Sequence, residues 1–161
     1  FVSILMKKEK EYCGDFADCY VLTEKRTKEW IVRFLNEFIP NRKQQADEYE
    51  IPLYSTRPTL VFKKDEELID YLEKNKNIPH AIYWTNEEDS DLRGVMVFFT
   101  NDGYLIPGIY CETLVNDTSI EDNYFNQLKL FWKTDQGYIT YEQPAPHTKD
   151  EFLKIVNSLI K

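Results

Sequence analysis

The sequence predicts an α+β fold, with a largely antiparallel central sheet of about four to five strands flanked by about four helices. Three observations carry that expectation. Residues 28–39 and 120–132 repeat apolar side chains at helical spacing. Asn101-Asp102-Gly103 separates two apolar runs, and an Asp-Gly pair tolerates the positive φ of a tight hairpin, which sets its strands antiparallel. Thr148 and Glu151 form a capping box ahead of an amphipathic C-terminal segment.

The elements follow in order. Residues 1–26 carry the weakest pattern, with Tyr20 to Thr23 as a strand candidate. Thr27 suits an N-cap for a helix over 28–39 that buries Trp30, Ile31, Phe34, Leu35 and Phe38 and stops at Pro40. Asn41 to Glu50 is polar and charged and reads as a flexible stretch. Pro52 and Pro58 punctuate an irregular segment, and Thr59 to Phe62 reads as a short strand. Asp65 is placed to cap a helix over 66–75 that buries Leu68, Ile69 and Leu72.

His80 to Thr85 and Gly94 to Thr100 read as strands, the second apolar enough to be covered on both faces. Tyr104 to Glu112 follows as a third, where Pro107-Gly108 suggests a bulge or an edge position. A helix over 120–132 gathers Ile120, Tyr124, Phe125, Leu128, Phe131 and Trp132. Tyr138 to Glu142 is a further strand, and the last helix is expected to bury Phe152, Ile155, Val156, Leu159 and Ile160.

At 161 residues, with no repeat or low-complexity tract, the chain is expected to be a single domain over 1–161. Phe1 to Met6 is too short for a signal-peptide core. Met6-Lys7-Lys8 reads like a natural start, so 1–6 is expected to lie outside the fold. No apolar run approaches a membrane-spanning length. Three cysteines without dense spacing suggest reduced thiols and a cytoplasmic setting, with a local Cys13–Cys19 bridge as the alternative.

The formal charge of −8 is unevenly spread. Residues 79–128 hold one basic residue, Arg93, against Glu87, Glu88, Asp89, Asp91, Asp102, Glu112, Asp117, Glu121 and Asp122. Such a field repels nucleic acid and acidic membranes and attracts basic partners. These nine acids, with Tyr104 and Tyr110 among them, are the candidate partner-binding residues; a solvated sheet rim is the plainer reading.

Catalytic signals are thin. His80 and His147, each after a proline, could serve as a general base, and Cys111 could pair with one, although its strand setting suits a small buried hydrophobe. Metal-ligand spacing is absent: there is no Cys-x-x-Cys and no His-Glu-x-x-His, and 87–91 does not fit a calcium loop. The scattered glycines build no phosphate loop. No cofactor, metal or catalytic residue is expected.

Four segments together resemble small bacterial immunity proteins of polymorphic-toxin and contact-dependent growth-inhibition systems. They are Pro52-Leu53-Tyr54-Ser55, Ala81-Ile82-Tyr83-Trp84-Thr85-Asn86, Phe98-Phe99-Thr100-Asn101-Asp102-Gly103-Tyr104-Leu105-Ile106-Pro107-Gly108, and Glu142-Gln143-Pro144-Ala145-Pro146. The resemblance implies a non-enzymatic, cytoplasmic binding protein that plugs or covers the active site of a cognate toxin, often a nuclease with a basic groove. The acidic third would then imitate the charge of a substrate phosphate chain. A generic interaction or regulatory module is the alternative, with a small hydrolase using a histidine behind it.

Overall fold

A computed structural model describes residues 10–159. Expectations for residues 1–6 and for Ile160 fall outside the described residues. The α+β class is borne out: six antiparallel strands form the main sheet, four helices pack beside it, and a two-stranded ribbon stands apart.

The sheet takes the order β2-β5-β6-β7-β1-β8. Its strands are β1 (Tyr12–Val21), β2 (Arg42–Gln44), β5 (His80–Asn86), β6 (Leu92–Phe99), β7 (Leu105–Leu114) and β8 (Gly137–Tyr141). The ribbon pairs β3 (Tyr49–Ile51) with β4 (Leu60–Phe62). The helices are α1 (Lys28–Phe38), α2 (Asp65–Lys74), α3 (Ser119–Trp132) and α4 (Lys149–Leu159).

Alternation along the strands divides the core in two. Ala17, Cys19, Val21, Ile82, Trp84, Val95, Val97, Ile109 and Cys111 meet α1, α2 and α3 through Ile31, Phe34, Leu68, Leu72, Leu128 and Trp132. On the other face Tyr20, Met96, Phe98, Ile106 and Tyr138 meet α4 through Phe152 and Val156. Covered on both sides, β6 is apolar and buried from Gly94 to Phe99, and only Arg93 near its start is exposed. Thr27 accepts a hydrogen bond from Trp30 N at 3.3 Å and caps α1. Gly103, at φ +91°, closes the β6–β7 hairpin.

Several local expectations are corrected. Of Tyr20 to Thr23 only Tyr20 and Val21 are strand, the end of β1, a ten-residue strand that lies between β7 and the edge strand β8. The flexible stretch at 41–50 holds β2, an edge strand whose Gln44 side chain donates to Ala46 O and Lys63 O at 2.9 Å. Its charged Arg42 and Lys43 suit an edge that must not recruit another chain. Asp65 lies inside α2, not before it: Lys64 is the cap residue, and the Asp65 carboxylate accepts from Trp84 Nε1 at 2.8 Å. In α4, Leu159 is exposed and Ile155 only half-buried, because the sheet beneath ends at β8.

Pro107-Gly108 marks neither a bulge nor an edge. β7 runs through it between β6 and β1, with Pro107 opposite Val97 and Gly108 opposite Tyr20. The β1 pairing stops at Gly108 and resumes only at Leu105 with Thr23, so the missing proline donor falls in a gap of the ladder. A Cβ on Gly108 would lie 2.7 Å from the Tyr20 ring, so the glycine makes room for that side chain.

Cys13 is exposed on β1, and Cys19 is buried six positions along the same strand. An extended strand advances about 3.3 Å per residue, which places the pair far beyond bonding reach. The alternative bridge is therefore excluded.

Candidate functional site: an acidic sheet end

Strand register decides which acids converge. Thr85 pairs with Gly94, so the turn at 87–91 lies at one end of the sheet. Leu92 pairs with Cys111 and Tyr12 with Leu114, which brings Glu112, the start of α3 and the start of β1 to that same end. Glu112 N donates to Asp91 O at 2.9 Å, and Tyr12 Oη donates to Asp91 Oδ1 at 2.9 Å. Eight of the nine expected acids therefore gather at one end: Glu87, Glu88, Asp89, Asp91, Glu112, Asp117, Glu121 and Asp122.

The gathered acids play different parts. Glu87, Glu88, Asp89, Asp117 and Asp122 are exposed. Asp91 is a joint, holding Tyr12 and pairing with Lys10 at 3.6 Å. Glu112 pairs with Arg93 at 3.6 Å. Among the described residues, Lys10 and Arg93 are thus both engaged in ion pairs at this end. Asp117 accepts from Ser119 N at 2.8 Å, and bonding to Ser119 holds its carboxyl below the usual carboxylate range.

Three expected residues lie elsewhere. Asp102 sits in the turn at the opposite end and accepts from Lys149 N at 3.2 Å, at the first residue of α4. Tyr104 is beside it, with the Lys149 ammonium 4.9 Å from its ring centroid. Tyr110 is half-buried along β7, donating to Trp84 O at 3.2 Å and accepting from Gln45 Nε2 at 2.6 Å. Its ring also packs against Phe16, with centroids 6.0 Å apart.

Sequence reasoning missed Asp15, Glu142 and Tyr141. These come from β1 and the end of β8, whose neighbourhood only the strand order reveals. With Cys13, Thr113, Asp117 and Glu121 they line a recess of about 370 Å³. Tyr141 Oη donates to Glu121 Oε2 at 2.9 Å. Burial of the phenol and the Glu121 carboxylate push Tyr141 up to about 12. Glu121 itself is only 2% exposed, and its Oε1 has no hydrogen-bond partner among the described residues. Among the described residues no three His, Cys, Asp or Glu side chains are grouped closely enough to hold a metal ion.

A second concavity, of about 660 Å³, is apolar and lies toward the other end. Leu53, Tyr54, Tyr83, Phe98, Pro146 and both histidines line it. His80 is buried, with Nε2 2.8 Å from Glu50 O and Nδ1 2.9 Å from Ala81 N. Both nitrogens are thus engaged by backbone, which leaves neither free to take a proton from a substrate. Cys111 sits in the helix-covered core against Cys19, and that neighbour together with burial pushes the Cys19 thiol up. Neither histidine lies in that core cluster.

No protein-family model matches the chain, and neither a curated protein nor a solved structure matches it. Among the described residues no helix is long and apolar enough to cross a membrane.

Proposed function

We propose that the chain is a non-enzymatic, cytoplasmic binding protein that neutralises a basic toxin domain by covering it with this acidic end. The observation that supports the reading is the convergence of acids from the β5–β6 turn, β7 and α3, where Lys10 and Arg93 are already held in ion pairs. Focused charge of one sign speeds encounter with an oppositely charged partner and orients it. A nuclease-like toxin would present its substrate groove, which is basic for the same reason that nucleic acid is acidic.

The apolar cleft favours a second reading, an interaction module for another partner, because Tyr54 stands 79% exposed at its rim. Co-expression of the tagged chain with the products of neighbouring genes, followed by capture at low and high salt, separates the two. A basic protein released by salt supports the neutralising role. A partner held equally at both salts moves the interface to the apolar cleft, and no captured partner overturns both.

A further inference from the structure

We propose that the recess between β1, β8 and the start of α3 is a receptor for a guanidinium group, an arginine side chain of the basic partner. The inference rests on the reading of this end as a docking face and adds to it one specific contact.

Four carboxylates border the recess: Asp15, Asp117, Glu121 and Glu142. Asp117 and Glu142 each hold one backbone N–H, from Ser119 and Phe16, which leaves acceptor capacity on both. The decisive group is Glu121. A buried carboxylate oxygen without a donor is costly and uncommon, since a group taken from water is normally repaired by a partner. Tyr141 satisfies only Oε2. Thr113, the other buried lining residue, spends its hydroxyl on Asp15 O at 2.8 Å and gives Glu121 nothing. Lys10 acts on Asp117 at longer range but is paired with Asp91.

The shape selects the class of cation. The carboxylates are too dispersed to close around a metal ion, which needs several oxygens within about 2.6 Å. The volume equals roughly a dozen waters, enough for a side chain and part of its hydration. A planar guanidinium offers five donors in a fixed fork and reaches two or more carboxylates together. The half-exposed Tyr141 ring at the wall offers a face on which it can stack. An ammonium has a single charged point and holds its water more tightly.

The test uses N-acetyl-arginine amide, N-acetyl-lysine amide and calcium chloride, each titrated into the ¹⁵N-labelled chain at low salt. Saturable shifts of the Glu121, Thr113 and Tyr141 amides are expected with the arginine probe, several-fold weaker with lysine. Glu121→Gln keeps an acceptor for Tyr141 and is expected to weaken the arginine probe about tenfold. Should that variant fail to fold, Asp117→Asn with Glu142→Gln changes only the exposed rim and is expected to weaken it as well. Unsaturable shifts, undiminished binding in both variants, or tighter saturation by calcium would overturn the proposal. A partner captured with full affinity by both variants leaves the docking reading standing and removes this contact. Probe binding without any basic partner does the reverse.

Discussion

Replacing Asp18 with asparagine is expected to stabilise the protein at neutral pH. Asp18 is buried on β1, opposite Tyr110 in the register, and accepts from Gln143 N at 3.0 Å. Burial pushes its carboxyl from 3.8 up to about 6; Glu142 adds to this, and backbone N–H groups of Gln143 and Glu142 restrain it. With a folded value above the unfolded one, the native state holds this proton more tightly. The resulting stabilisation is full below about pH 4 and is lost as the pH rises through about 6. A gap of about two pH units corresponds to about 3 kcal/mol. At pH 7 the native fold bears that penalty, whereas an amide has no charge to desolvate and still accepts from Gln143. Asp18→Asn should therefore gain about 1–3 kcal/mol at pH 7, seen as a Tm higher by roughly 3–10 °C. The advantage should shrink toward nothing near pH 4. Urea denaturation of both proteins across this range isolates Asp18 from the other acids, which are common to both. A difference that stays flat with pH, or a less stable variant at pH 7, would refute the reasoning.

Other expectations follow from the same structure. Arg26 is buried and donates to the carbonyls of Leu72, Asn75, Ile78, Thr100 and Tyr104, so Arg26→Met should cost about 3–5 kcal/mol in urea denaturation by stranding them. Gly108→Ala sets a methyl against the Tyr20 ring and should cost about 1–3 kcal/mol, with the denaturant slope unchanged. Of the three thiols, only Cys13 should react quickly with a disulfide reagent in the native protein; Cys19 and Cys111 should wait for unfolding.

What the sequence made legible was local. Helix α1 announced itself through Thr27 and its apolar spacing, and the β6–β7 hairpin through Asp102-Gly103, because each signal lies within a few residues of its effect. β1 stayed hidden because its first half is exposed and only Phe16 to Val21 turns inward. β2 stayed hidden because an edge strand is stable with polar side chains. Pro107-Gly108 misled because proline is disfavoured in a central strand unless its missing donor meets a gap, and the gap is a property of β1. The acidic third was legible as composition. Its division into one gathered end and an outlying Asp102 was not, since strand order alone places 87–91 and 117–122 together. Glu121 was counted as a surface charge and is instead buried, a fact set by the packing of α3 against β1 and β7.

The docking role of the acidic end is tested most directly by association kinetics with the captured basic partner. Glu87 and Asp89 are exposed and, among the described residues, hold no side-chain hydrogen bond or ion pair, so Glu87→Lys with Asp89→Lys should leave the fold intact. Expected is a rapid association at low salt that slows about tenfold or more at high salt, and slows again in the double variant. An association rate indifferent to both salt and charge reversal would contradict a docking role for this end of the sheet.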